Sequence, residues 1–122
     1  MGKSTHNDVL DAPADVIDQA DLQIVCSAEP LTRAEAVSTY ALGDAVMTPN
    51  TDYTKADGDT SGRKVTVAAK AGEAVDASGT GNHIALVDAT RLLYVTTCTP
   101  QALTAGNTVN FPAWDIEFAD PA

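Results

Sequence analysis

The sequence predicts a mainly β fold: an antiparallel β-sandwich or barrel-like domain with short N-terminal helical segments. Three observations carry that prediction. Short apolar runs recur at near-regular spacing from residue 22 onward, turn signals rich in Gly and Asn separate them, and helical periodicity is confined to the first third of the chain. At 122 residues the chain has the size of one domain with one modest core, and 44% hydrophobic content suits a globular protein. With one Trp, three Tyr and two Phe, the core has to be built from Val, Leu, Ile and Ala.

Residues 8–21, "DVLDAPADVIDQAD", read as a short amphipathic helix. Val9, Pro13, Val16, Ile17 and Ala20 fall on one side, and Asp8, Asp11, Asp15 and Asp18 on the other. Proline costs about 3 kcal/mol in a helix interior, so the expected start is near Ala12, capped by Asp11, with Pro13 in the first turn. The aspartate row reads as a solvated face, because hard cations want oxygens converging from a loop.

"LQIVC" follows as a strand that Pro30 ends, and "LTRAEAVSTY" offers Thr32 and Glu35 as a capping box over one or two turns. "ALGDAVM" is a short strand closed by Pro49. "NTDYTKADGDTSGR" reads as a polar connection holding the turn formers Asp57-Gly58 and Gly62. "KVTVAAK" alternates Val65, Val67 and Ala69 against polar neighbours, and a weaker strand lies around Val75 before a Gly-rich turn at Ser78–Asn82. "HIALVD" and "RLLYVTTC" form a hairpin across "DATR". A turn at Ala105-Gly106-Asn107 leads to a strand through Val109, and "AWDIEF" closes the chain with Trp114, Ile116 and Phe118 on one face. The expected core is Ile84, Leu86, Leu93, Val95, Trp114, Ile116 and Phe118. The expected division is an N-terminal arm over 1–21 and a β-rich domain over 22–122.

The chemistry-bearing residues form no constellation. "GKST" (Gly2–Thr5) matches the end of a phosphate-binding loop, but the sequence holds neither the glycine such a loop needs upstream nor a strand before it. The opening "MG" has His6 where a myristoylation signal wants Ser or Thr. Ser78, His83 and Asp88 lie close in sequence without a nucleophile elbow, and His6 and His83 share no zinc spacing with Cys26 and Cys98. The two cysteines are expected to be buried free thiols. A disulfide would need their strand ends to be neighbours, which sequence does not decide. Asp52, Asp57 and Asp59 are the best cation candidates, yet "DGDTSG" lacks the alternating ligands and closing glutamate of a calcium loop and reads as a turn. The expectation is therefore no catalytic, cofactor-binding or metal residue, no cofactor, and no enzyme.

The formal charge of −10, from 17 acids against 7 bases, argues against nucleic-acid binding, which needs clustered Lys and Arg. Apolar runs fall short of the ~20 residues of a membrane helix, and "MGKSTHNDVL" lacks the apolar stretch of a signal peptide.

The run "ADGDTSGRKVTVAAK…ASGTGNHIALVD…LLYVTTCTPQALTAGNTVNFPAWDIEFADP", with "LQIVCSAEPLTRAEA" before it, resembles small virion structural proteins of tailed bacteriophages over roughly residues 20–120. The resemblance implies a non-enzymatic role in the virion, synthesis in the bacterial host cytoplasm, and partners among capsid or other virion proteins. Within it an acidic domain of this size fits best a capsid decoration (cement) protein on the outer head. Such proteins are homo-oligomers, a trimer among the possible states. The alternative is a neck, tail or fibre component. A secreted carbohydrate-binding sandwich fits less well, since aromatics for sugar stacking are scarce. The expected partner contacts are Val9, Val16 and Ile17 of the arm, joined by Trp114 if it is exposed.

Overall fold

The computed structural model describes residues 7–58 and 62–118, with side chains described from Ala12 onward. Leu22–Cys26 (β1) is its most enclosed strand. Gln23, Ile24, Val25 and Cys26 are all buried, so the strand is covered on both faces rather than one. It pairs antiparallel with Ala41–Val46 (β2) on one side and Gly79–Val87 (β6) on the other; Leu92–Leu103 (β7) completes a four-stranded sheet in the order β2-β1-β6-β7. Tyr53–Asp57 (β3), Arg63–Val67 (β4) and Trp114–Phe118 (β9) form a three-stranded antiparallel sheet, and Lys70–Ala74 (β5) pairs with Thr108–Phe111 (β8). The fold is thus mainly β with antiparallel sheets and short helices, as the sequence predicts.

The main core lies between the sheets. Val25, Leu42, Ala45 and Leu86 of the large sheet share one cluster with Tyr53, Val65, Val67 and Ile116 of the second and with Val75, Val109 and Phe111. Burying such side chains yields about 1.5–3 kcal/mol each. A smaller core occupies the opposite face of the large sheet. There Ile24, Cys26, Ala85 and Val87 pack under Ala36, which sits on a π-helical turn over Glu35–Thr39. Arg33 ties that turn down by donating from Nε to the Asp88 carbonyl at 2.7 Å. The capping box is half formed: Thr32 Oγ1 accepts from the Glu35 N–H at 3.2 Å, while Glu35 Oε1 accepts from Leu31 N–H at 2.8 Å, one residue earlier than the motif requires.

Several expectations change in the structure. The helix (α1) spans Asn7–Ile17, so Pro13 lies inside it rather than in its first turn. Its buried side is Ala14, Ile17 and Asp18, whereas Pro13 and Val16 are exposed. Asp18 turns inward because Lys55 meets it there at 3.1 Å and also holds Asp15. Ala14, Ile17 and Ala20 belong to the main core, and Asp21 gives its N–H to Val87 O while its carbonyl accepts from Met47 N–H.

The stretch expected to be a polar connection contains β3. Only Tyr53 buries deeply there, and its hydroxyl donates to Ala20 O at 2.8 Å. Residues 79–82, expected in a turn, begin β6 instead. A Cβ on Gly81 would fall 2.6 Å from Val25 Cγ2, so glycine serves here for close approach of strands rather than for a turn. Of the expected core, Leu86 and Ile116 are buried, while Ile84, Leu93, Val95, Trp114 and Phe118 are half-buried and pack against it. β7 and β9 are outer strands, so their side chains are covered from fewer directions.

Candidate functional site

A groove of about 420 Å³ opens on the inner face of the large sheet, between β7 and the β8–β9 connection. Gln23, Thr96, Cys98, Phe111, Pro112 and Trp114 define it. The centre of its wall is one hydrogen bond. Gln23, fully buried on β1, accepts from Trp114 Nε1 at 2.8 Å and turns its amide nitrogen toward Met47 Sδ at 3.8 Å. Trp114 in turn packs on Tyr94, with ring centroids 5.9 Å apart and planes tilted by 33°. A buried amide needs such a partner, because an unmet one costs about 1–3 kcal/mol. Sequence reading missed Gln23: in "LQIVC" it appears as the polar member of an alternating strand, whereas both faces of β1 are covered.

The groove is neutral and largely apolar. Its lining holds threonine hydroxyls, the Gln101 and Asn110 amides and apolar surface, with no carboxylate, imidazole or ammonium among the described residues. Cys98 is the one thiol in the lining, and burial raises it above the ordinary range, which keeps it protonated. Cys26 is pushed up to about 11, first by burial and then by Cys98. Both cysteines are free, Cys26 buried and Cys98 half-buried.

The other candidates are not brought together. Asp52 accepts from Thr48 N–H at 2.6 Å and pairs with Lys70 at 3.1 Å; the Thr48 bond, followed by Lys70, holds its carboxyl below the usual range. Asp57 pairs with Arg63 at 2.9 Å, and Asp59 lies outside the described residues. Among the described residues no cluster of three metal-ligating side chains exists. Ser78 Oγ accepts from Ala105 N–H, His83 Nδ1 faces Asn82 Oδ1 at 2.6 Å, and Asp88 closes the β6–β7 turn by accepting from Thr90 and Arg91. No Ser-His-Asp arrangement results. Gly2–Thr5 and His6 lie outside the described residues.

The expected partner contacts separate in the same way. Ile17 is 5% exposed and committed to the core, a correction that follows from α1 docking by that face. Val16 is 43% exposed, Trp114 is half-buried at the groove, and the Val9 side chain lies outside the described residues. Lys55, Lys64, Lys70, Arg63 and Arg91 each pair with an aspartate, which leaves an acidic exterior. No helix among the described residues is long and apolar enough to cross a membrane.

Fold and groove together define an antiparallel β-sheet protein with an acidic exterior and a neutral, threonine-lined groove. No protein-family model, no curated protein and no solved structure matches the chain.

Proposed function

We propose that the chain is a non-enzymatic structural component of a tailed-bacteriophage virion, a capsid decoration protein bound to the outer head as a homo-oligomer. The observation that carries this reading is the groove, which presents hydroxyls, amides and apolar surface instead of acid–base groups. Such a lining suits contact with another protein surface, where aromatic anchors such as Trp114 concentrate binding energy. The likeness of residues 20–120 to small virion proteins supplies the setting. The aspartate-paired cations support the same reading, since a protein on the outside of the head has no DNA phosphate to neutralise.

The test is the copy number of the chain in purified virions, by quantitative mass spectrometry against the major capsid protein. Decoration predicts copies in proportion to the capsid subunits, on the order of hundreds per particle. About a dozen copies or fewer would place it in the neck, tail or fibre. Its absence from virions would overturn the reading altogether.

A further inference from the structure

β7 differs from the other sheet edges. The large sheet ends on β2 at one side and β7 at the other. The free side of β2 is already in use: Asp76 and Ala77 both donate to Leu42 O, at 2.7 and 3.1 Å, and Gly43 bridges Val75. In the second sheet the outer strands carry charge, Lys55 and Asp57 on β3 and Asp115 and Glu117 on β9; β5 carries Lys70 and Glu73. β7 runs twelve residues from Leu92 to Leu103 without one charged side chain, and β6 is its only strand partner among the described residues. The uncharged β8 is four residues long.

An open edge is a template for another strand, and proteins usually guard it with charges, prolines or bulges. Here the guards stand only at the ends. One register shift lies opposite Leu86 and Val87, and another opposite Gly81 and His83, in the part of β7 that holds Pro100. Between them Tyr94, Val95, Thr96 and Thr97 pair regularly with Leu86, Ala85, Ile84 and His83. In such a ladder alternate residues turn their N–H and C=O groups away from the partner, so this stretch offers a straight row of donors and acceptors.

We propose that the edge of β7 at Tyr94–Thr97 pairs antiparallel with the same strand of a second copy of this chain, joining two four-stranded sheets into one. Charge selects the occupant. At a formal −10, two copies repel wherever their carboxylates meet, and β7 is the one long neutral strip along which they approach without that cost. A two-fold axis at Thr96 sets Thr96 against Thr96 of the second copy and Val95 against its Thr97, β-branched pairs on matching faces that suit facing strands. The outer face gains as well. Val95 packs against the cluster of Ile24, Cys26, Ala85 and Val87 on that face, and pairing sets it beside Thr97 of the second copy. Because the same edge meets itself, the contact closes and leaves no edge for a third strand. Nothing in this pairing depends on a virion.

The experiment is sedimentation equilibrium of the full chain over a range of concentrations, with Thr97→Asp, Thr97→Lys and Thr104→Asp beside it. Thr97 and Thr104 are both exposed, so the variants keep the monomer's packing, which circular dichroism checks. The unmodified chain is expected to form a concentration-dependent dimer. A charge at Thr97 weakens it by about a hundredfold, while Thr104→Asp changes it by less than about threefold. A chain that stays monomeric throughout overturns the proposal. An oligomer that Thr97 charges leave intact, or that all three variants weaken alike, overturns it too.

Discussion

The two larger sheets are built from the same residue types and treat solvent in opposite ways. In the β3-β4-β9 sheet one face is core and the other is charged: Val65, Val67 and Ile116 point inward, while Lys64, Thr66 and Asp115 interact outside, Thr66 Oγ1 with Asp115 at 2.7 Å and Lys64 with Asp115 at 3.6 Å. In the β2-β1-β6-β7 sheet the central strands are covered on both faces, and the outermost strand is neutral for its whole length. The first sheet is finished as a surface for water. The second is covered on both faces at its centre and ends, among the described residues, on the neutral strand β7.

The largest difference between the sheets should appear on truncation of a central side chain. Leu86→Ala is expected to cost about 3 kcal/mol, because Leu86 is fully buried and its removal leaves a cavity between sheets. Urea denaturation measures it, and a loss under 1 kcal/mol would mean that the large sheet is not the tightly packed one.

Trp114 of β9 joins the two sheets through its bond to Gln23 of β1. Trp114→Phe keeps an aromatic ring against Tyr94 and removes the donor to Gln23, which should cost about 1–2 kcal/mol by leaving a buried amide oxygen unmet. Combining it with Gln23→Leu in a double-mutant cycle should give a non-additive result. Additivity would show that the bond contributes nothing.

Acid should act through the charged turns rather than through the neutral sheet. Asp52 has a folded pKa below its ordinary 3.8, chiefly through the Thr48 N–H, and Asp88 and Asp115 shift the same way, through the Thr90 N–H and the Thr66 hydroxyl respectively. A depressed carboxylate stabilises the fold above its unfolded pKa and loses that contribution as pH falls through the folded value. Stability should therefore be flat near neutrality and decline below about pH 4, with Asp52→Asn showing a shallower decline in thermal melts. An unchanged acid limb in that variant would remove Asp52 from the account. At the small end, Lys64→Ala should change stability by no more than about 0.5 kcal/mol, since exposed ion pairs contribute little.

The same contrast decides what could be read from sequence. β4 and β9 were legible because one face is wet, so alternation survives in "KVTV" and "WDIEF". The β6–β7 hairpin was legible from its paired apolar runs and the Asp88–Arg91 turn. Where both faces are covered, alternation no longer reports direction, and nothing in "LQIVC" marks Gln23 as the buried anchor of the groove. Gly79 and Gly81 looked like turn residues because sequence shows a missing side chain and not the Leu42 and Val25 side chains that take its place. β3 was hidden because only Tyr53 of its five residues is buried. The groove had no sequence signature at all: register brings its walls together from β1, β7, β8 and β9.

On the proposed pairing, the neutral sheet meets a partner and the charged sheet meets water. Hydrogen exchange of the full chain, followed by mass spectrometry from dilute to concentrated solution, tests it most directly. Protection is expected to rise with concentration at Leu92–Thr97 and to stay constant across Arg63–Val67 and Trp114–Phe118. Protection that rises in the charged strands while β7 stays unchanged would contradict it.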